Sequence, residues 1–346
     1  MTEETPSTGT GQRGEMSPPK VSVMIPTYNQ QVFVQRAIES ALAQDYPNIE
    51  VVVADDHSLD QTAAVVERFI ERHPGTNVSL VRHPENLGIL RNYHTTLFHH
   101  VSGEWVINLD GDDFFVDPSF IRQAMQRAAE DGRVVLVFGD YCEHAEATGE
   151  RVDIRNPGVP ALMDGNDFIT RYARGGVSWN HNSIVYRRAD ALAQGFYWDA
   201  DGNRNDWESF LRLVLNRRVG HVEAIAAAWV QHAFNETARR DPRKYLHNYT
   251  LIRGVGNAAQ AQGVSAELAA RWVSLLNWKE TRSSLFAYLK QGDLRGAAHF
   301  LRKVARIDRR LPWRALAAPS VWLRALLGLH PGLYARAKAW ARAGAA

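Results

Sequence analysis

Residues 21–29 read Val-Ser-Val-Met-Ile-Pro-Thr-Tyr-Asn. Val21–Ile25 is a short apolar run closed by Pro26, the signature of a buried strand. Downstream, Val34, Ala37, Ile38, Ala41 and Leu42 recur at helical spacing across 32–44. A turn at Tyr46-Pro47-Asn48 leads into a second apolar run, Ile49–Ala54. Residues 61–72 are again helical in period, Val78–Arg82 is a third strand and 88–101 a third helix. Trp105–Leu109 is a fourth strand, and it ends in Asp110-Gly111-Asp112-Asp113. This alternation predicts an α/β fold, a mainly parallel sheet with flanking helices.

Polar clusters follow three of these strands: Thr27-Tyr28-Asn29, Asp55-Asp56-His57-Ser58 and Asp110–Asp113. Ligands of open α/β sheets bind outside the carboxyl ends of the strands, so the three clusters are expected to converge on one site. No Gly-x-Gly-x-x-Gly follows the first strand, and no Gly-x-x-x-x-Gly-Lys-Ser/Thr occurs. Dinucleotide dehydrogenases and P-loop nucleotide hydrolases are thereby disfavoured.

Beyond residue 120 the order changes. Pro118–Glu130 reads as helix and Val134–Gly139 as strand. Residues 150–165, with Asn156-Pro157-Gly158, read as loop. Ser183–Arg187 is expected to be a strand, Trp207–Leu215 a helix and Val222–Val230 a strand. From about 242 onward the pattern is helical. The expected organisation is a disordered tail over 1–19, an α/β domain over 20–240 and a helical C-terminal region over 241–346.

Three carboxylates within four residues repel one another unless a cation or protons relieve them. Mg²⁺ and Mn²⁺ prefer oxygen ligands and commonly share one or two carboxylates with substrate phosphates. A solvated acidic turn, or an Asp capping the next helix, explains the same residues without a ligand. Asp55 and Asp56 end the second strand with Ser58 and Asp60 after them: Ser58 or Asp60 can cap the next helix while Asp56 is free to accept a hydrogen bond from a base or ribose, and both readings can hold.

Taken in order, these segments resemble glycosyltransferase family 2, whose fold is called GT-A. The resemblance rests on residues 21–29, on Ser40, Gln44, Tyr46 and Pro47, and on Asp55–Thr62. It continues through Asn86-Leu87-Gly88 with Arg91-Asn92, and through Leu109–Asp113. It covers roughly residues 20–235. The family moves a sugar from a nucleoside-diphosphate donor to an acceptor hydroxyl, with inversion at the anomeric carbon. The resemblance implies that Pro26, Thr27, Tyr28, Asp56, Arg91, Asp110 and Gly111 form the nucleotide-sugar site, with Tyr28 stacked on the base. It implies a Mn or Mg ion held by Asp112, with Asp113 shaping the site.

It further implies a general base from an acidic pair at the start of a later helix. Here that segment is Asn205-Asp206-Trp207-Glu208, so Asp206 takes the role, Glu208 is the reserve, and Asn205 departs from the usual Glu. An acid at this place also suits a helix N-terminus on electrostatic grounds alone. His232 is expected to be a metal ligand, a phosphate contact or a partly buried structural histidine. Trp179, His181 and Asn182 precede a strand on the expected acceptor side, where Trp179 either stacks on a sugar or packs in the core.

The charge is unevenly placed. Lys and Arg total 40 against 38 Asp and Glu, a net of +2. Residues 286–346 carry 12 basic and 2 acidic side chains, a net of +10, which leaves −8 on the first 285. Leu294, Ala297, Ala298, Leu301, Val304 and Ala305 are expected on one helix face, with basic residues elsewhere and Trp313, Trp322 and Trp340 beyond. This fits either an interfacial helix on an anionic membrane or a bundle with a solvated basic face. No nucleic-acid module is recognisable, so no nucleic-acid partner is expected. One cysteine, Cys142, excludes an intrachain disulfide and fits a reducing, cytoplasmic location, extended to peripheral attachment at the inner face of the membrane. A UDP-sugar donor is expected because UDP is the family's commonest nucleotide, with a glycan or glycan-lipid acceptor in surface polysaccharide synthesis. The competing expectation is a catalytically inactive GT-A domain that binds sugar nucleotides as a scaffold. A nucleotidyltransferase would want a Gly-rich basic loop after the first strand, where this chain has Pro26–Gln30.

Overall fold

The computed structural model describes residues 17–197, 205–233, 245–319 and 321–322. The first half alternates as read: β1 (Val21–Thr27), α1 (Val34–Leu42), β2 (Ile49–Asp55), α2 (Thr62–Arg72), β3 (Val78–Arg82), α3 (Ile89–His99) and β4 (Trp105–Asn108). Then come β5 (Phe114–Phe115), α4 (Phe120–Ala129), β6 (Val134–Ala145), β7 (Arg151–Ile154), β8 (Leu162–Asp164) and α5 (Gly165–Arg174). A 3-10 turn at His181–Ser183 precedes β9 (Ile184–Arg187), α6 (Arg188–Ala193), α7 (Asp206–Leu213) and β10 (Arg218–Gln231). Four helices follow: α8 (Tyr245–Ala261), α9 (Ala266–Lys290), α10 (Leu294–Ile307) and α11 (Arg310–Leu316).

Among the described residues ten strands form one sheet in the order β3-β2-β1-β4-β9-β6-β10-β5, with β7 on β6 and β8 on β10. β1 is parallel to β2 and to β4, and β2 is parallel to β3. β9 then runs antiparallel between β4 and β6, while β6 and β10 are parallel. All seven residues of β1 are buried, because helices cover both faces of the sheet. One face packs Val23, Ile25, Val51 and Val53 against Ala37 and Ile38 of α1. The other carries Met24, Val52 and Val106 into a core that reaches Trp272.

The region read as loop over 150–165 contains two strands. β6 runs on to Ala145 and pairs β7 as a hairpin, and three residues of β8 add to the edge of β10. Elements of three or four residues leave too little periodicity to read. α5 and α6 were likewise not anticipated. The domain boundary expected near 240, Trp340 and the tail up to residue 16 lie outside the described residues.

The C-terminal helices share an apolar core with the α/β region. Ile252, Val255, Ala259, Ala269, Trp272 and Leu276 belong to the same apolar cluster as Phe168 and Phe210. Trp272 Nε1 donates to Thr170 Oγ1 at 2.8 Å, tying α9 to α5. The α10 face differs from the expected one: Ala297, Phe300 and Val304 are buried, while Leu294 is 68% exposed and Ala298 is exposed. Phe300 recentres the stripe, and that stripe packs on Leu285 and Tyr288 of α9. It is therefore covered by protein. Exposed apolar surface lies instead at Ile307, Trp313, Leu316 and Trp322.

Candidate active site

The parallel register puts the ends of β1, β2 and β4 side by side, Thr27 opposite Asp55. Backbone bonds then knit the polar loops: Asp56 N donates to Thr27 O at 2.9 Å and Gly111 N to Pro26 O at 3.1 Å. Asn29 N donates to Ser58 Oγ, and Leu59 N returns a bond to Asn29 Oδ1. The three clusters thus converge on one edge. Gly111 is required there: a Cβ would collide with the side chains of Thr27 and Gln30. Thr27 is buried and Tyr28 is 43% exposed at the rim.

Asp56 is buried, and its carboxylate accepts from Leu87 N at 2.7 Å and Gly88 N at 2.9 Å. It anchors the 86–88 loop, where Gly88 at φ +79° takes a conformation disfavoured for other residues. A nucleobase contact would have to use its remaining lone pairs. Arg91 is exposed near the start of α3.

The acidic loop after β4 is held from several directions. Asp110 accepts Tyr93 Oη–H on one oxygen and faces His181 Nε2 at 3.0 Å with the other. Asp113 is buried and accepts from Val230 N at 2.8 Å and Asn182 Nδ2 at 2.9 Å, so it buttresses the loop against β10. Asp112 lies 2.8 Å from His232 Nε2, and the His232 ring stacks on Phe33 at 4.5 Å. Burial and the neighbouring Asp110 push the Asp112 carboxyl above its usual range, against the pull of His232. Burial, Asp112 and Asp110 push Asp113 well above it.

Asn205, the departure from the family pattern, caps α7: its Oδ1 accepts Glu208 N at 3.1 Å. Asp206 is then the first helical residue. His181 Nδ1 lies 3.2 Å from Asp206 Oδ2, so one imidazole joins Asp206 to Asp110. Burial alone would raise the Asp206 carboxyl, but the His181 bond and charge outweigh it and hold it below its usual value. Burial would likewise lower His181, yet Asp110 and Asp206 together hold it well above the ordinary histidine range. Glu208 faces away, buried in an ion pair with Arg212 at 2.6 Å.

The sequence assigned no bonding role to three supporting groups. Tyr93 reads as one apolar position of α3. His181 has no partner at a recognisable spacing. Asn156 sits in a presumed loop, yet it is buried and bonds Asp140 at 2.8 Å and both backbone groups of Ser178. His221 completes that network on Asp140 at 3.2 Å. Trp179 is half-buried, packed between Tyr172 and Phe210.

The donor set suits a hard divalent cation. Three crowded carboxylates, two with raised pKa values, supply oxygens, and His232 adds a nitrogen beside Asp112. Ligand atoms of Asp110, Asp113 and His181 also lie within 4.8 Å of one another. Those three, however, are bonded within the protein through Tyr93, Val230, Asn182 and Asp206.

Residues 22–195 match the model for glycosyl transferase family 2, and the chain belongs to that family. It is 34% identical over 122 residues to a GalNAc(5)-diNAcBac-PP-undecaprenol beta-1,3-glucosyltransferase of Campylobacter jejuni, covering 35% of this chain and 38% of that one. Across eight curated relatives the chain spans from 21% to 67% of their length. The fold is similar to Staphylococcus aureus TarS 1–349 in complex with UDP, at TM-score 0.59, 18% identity, 78% of this chain and 80% of that one. It is also similar to the mannosyltransferase PcManGT of Pyrobaculum calidifontis in complex with GDP-Man and Mn2+, at TM-score 0.56, 20% identity, 90% of this chain and 88% of that one.

Proposed function

We propose that this protein is an inverting, metal-dependent glycosyltransferase. It transfers a sugar from a nucleoside-diphosphate donor to an acceptor hydroxyl in the synthesis of a surface polysaccharide or a lipid-carried glycan. One observation carries the reading. Asp110 of the acidic loop and Asp206 of α7, 96 positions apart in the chain, meet on a single imidazole at the ligand-binding edge of the sheet.

In this reading Thr27, Tyr28 and the 110–113 loop seat the nucleotide, and Asp112 with His232 would hold a Mn or Mg ion. Such an ion, when bound, offsets the negative charge that develops on the departing diphosphate. Asp206 accepts the proton of the acceptor hydroxyl. The acceptor oxygen forms its bond to the anomeric carbon as the bond from that carbon to the diphosphate oxygen breaks. The nucleoside diphosphate takes the electron pair, and a single displacement inverts the centre. Asp206, whose carboxyl is held below its usual range by His181, is ionised at neutral pH.

The proposal extends to location. No helix among the described residues is long and apolar enough to cross a membrane. We place the protein in the cytoplasm, held at the inner face of the membrane by its basic C-terminal region. Trp313 and Trp322 lie exposed there among Arg306, Arg309, Arg310 and Arg314. A lipid-linked acceptor would be presented at the same surface. UDP is the first nucleotide to test.

A thermal-shift screen of UDP, GDP, dTDP and CDP, each with Mn²⁺, tests the reading. The donor's nucleotide should raise the melting temperature by linkage. No shift with any nucleotide would overturn it.

A further inference from the structure

The geometry points to His181 as a positioning residue that orients the base Asp206 from the donor side of the cleft. This inference rests on the glycosyltransferase reading and gives a role to the imidazole that joins its two acids. Among the described residues, His181 is the one side chain hydrogen-bonded to Asp206. Asp206 is the first residue of α7, and its backbone is fixed by the Asn205 cap. Backbone N–H groups of Trp207 and Asp206 steady the carboxylate from within the helix, and a restraint from outside is needed to fix it relative to the acidic loop. His181 Nδ1, at 3.2 Å, supplies that restraint.

His181 is itself held on every side. Its Nε2 lies 3.0 Å from Asp110 Oδ2, and its ring meets the Tyr93 ring edge-on at 5.8 Å. Its turn is closed by a reciprocal cap between Asn180 and Ser183, and Asn182 bonds the buttress Asp113. Upstream, Asn156 grips both backbone groups of Ser178 and is anchored on buried Asp140. The segment 178–183 is therefore pinned at both ends to strands of the sheet. A group so fixed can transmit the position of the acidic loop to Asp206. The consequence is kinetic, because a misplacement of about 1 Å in a reacting group can cost roughly 100-fold in rate.

The test uses the full chain with Mn²⁺ and two probes, UDP-GlcNAc and GDP-mannose, following release of nucleoside diphosphate with water as acceptor. His181→Ala should lower kcat by roughly 10- to 100-fold and change the donor KM by less than about 3-fold. His181→Gln, which can still donate to one carboxylate, should recover part of the loss. In an Asp206→Asn background, His181→Ala should change kcat by less than about 2-fold, because the two residues act as one unit. Melting temperatures of the variants separate misfolding from mispositioning, and His181→Gln keeps the test open should His181→Ala fail to fold.

A full additional loss in the Asp206→Asn background, or a raised KM with unchanged kcat, overturns the inference. Either result would assign His181 to donor binding through Asp110. A wild-type protein that releases no nucleoside diphosphate from either probe, and whose melting no nucleotide shifts, overturns the glycosyltransferase reading itself and this inference with it.

Discussion

Arg212 Nε lies 2.6 Å from Glu208 Oε1, one turn along α7, and this ion pair separates the two acids at the head of that helix. Both are acidic and two residues apart, yet Glu208 is buried against Arg212 while the Asp206 side chain is 34% exposed beside His181. Breaking a buried pair leaves an uncompensated charge, so Glu208 belongs to the packing of α7.

We predict that Asp206→Asn leaves nucleotide affinity within about 2-fold and lowers kcat by roughly 10²–10⁴, the usual worth of a general base. Glu208→Gln should instead destabilise the fold by about 3 kcal/mol by removing the buried Glu208–Arg212 ion pair, with kcat of the folded fraction nearly unchanged. Thermal melts and steady-state rates on the two variants check the division. An active Asp206→Asn with an inactive, fully folded Glu208→Gln would reverse the assignment.

Asp112→Asn is expected to abolish Mn²⁺-dependent nucleotide binding, and EDTA should do the same to the wild type. The apo variant should melt no lower than wild type at pH 7. The reason is that the buried Asp112 carboxyl is already raised by burial and by Asp110, so removing its charge relieves repulsion. Nucleotide shifts that persist in EDTA would remove the metal from the reading.

Acid stability should depend on Glu50. Burial raises its carboxyl, but bonds from Lys20, Ser22 and Ser102 overcome this and take it from 4.5 to about 2. A depressed folded value means that the stabilisation is present above the unfolded pKa and is lost as pH falls through the folded one. Glu50→Gln should therefore cost about 1–3 kcal/mol at pH 7, with the difference from wild type shrinking between pH 4.5 and 2. Denaturant melts at pH 7, 4 and 2.5 measure it, and a pH-independent difference would contradict the linkage.

At the membrane, the exposed residues of α11 replace the α10 face as the expected contact. Wild type should co-sediment with anionic vesicles at low salt and leave them at high salt. Arg309→Glu with Arg310→Glu should weaken binding by at least roughly 30-fold, since each basic residue near an anionic surface contributes about 1 kcal/mol. Trp313→Ser should weaken it further through lost apolar burial. Unchanged sedimentation in the charge-reversed variant, or equal binding to neutral vesicles, would return α11 to the role of solvated surface.

The alternation of strand and helix through residue 113 was legible in the sequence because each element there is long enough to show its period and each loop carries polar punctuation. The convergence of 27–29, 55–58 and 110–113 followed, since parallel strands must end on one edge. Asp206 was nominated over Glu208 only through the family resemblance, since its place before a helix suits a first-turn acid equally well.

Tertiary structure decided the rest. Only folding sets Glu208 against Arg212, brings His181 from residue 181 between Asp110 and Asp206, and turns Asn156 from a loop residue into a buried clamp. It also covers the α10 stripe with α9 and leaves Trp313 exposed. Sequence determines what a chain does within a few residues, through local periodicity, caps and turn chemistry. Contacts between groups tens of positions apart depend on strand order and crossing connections, and these leave no local mark.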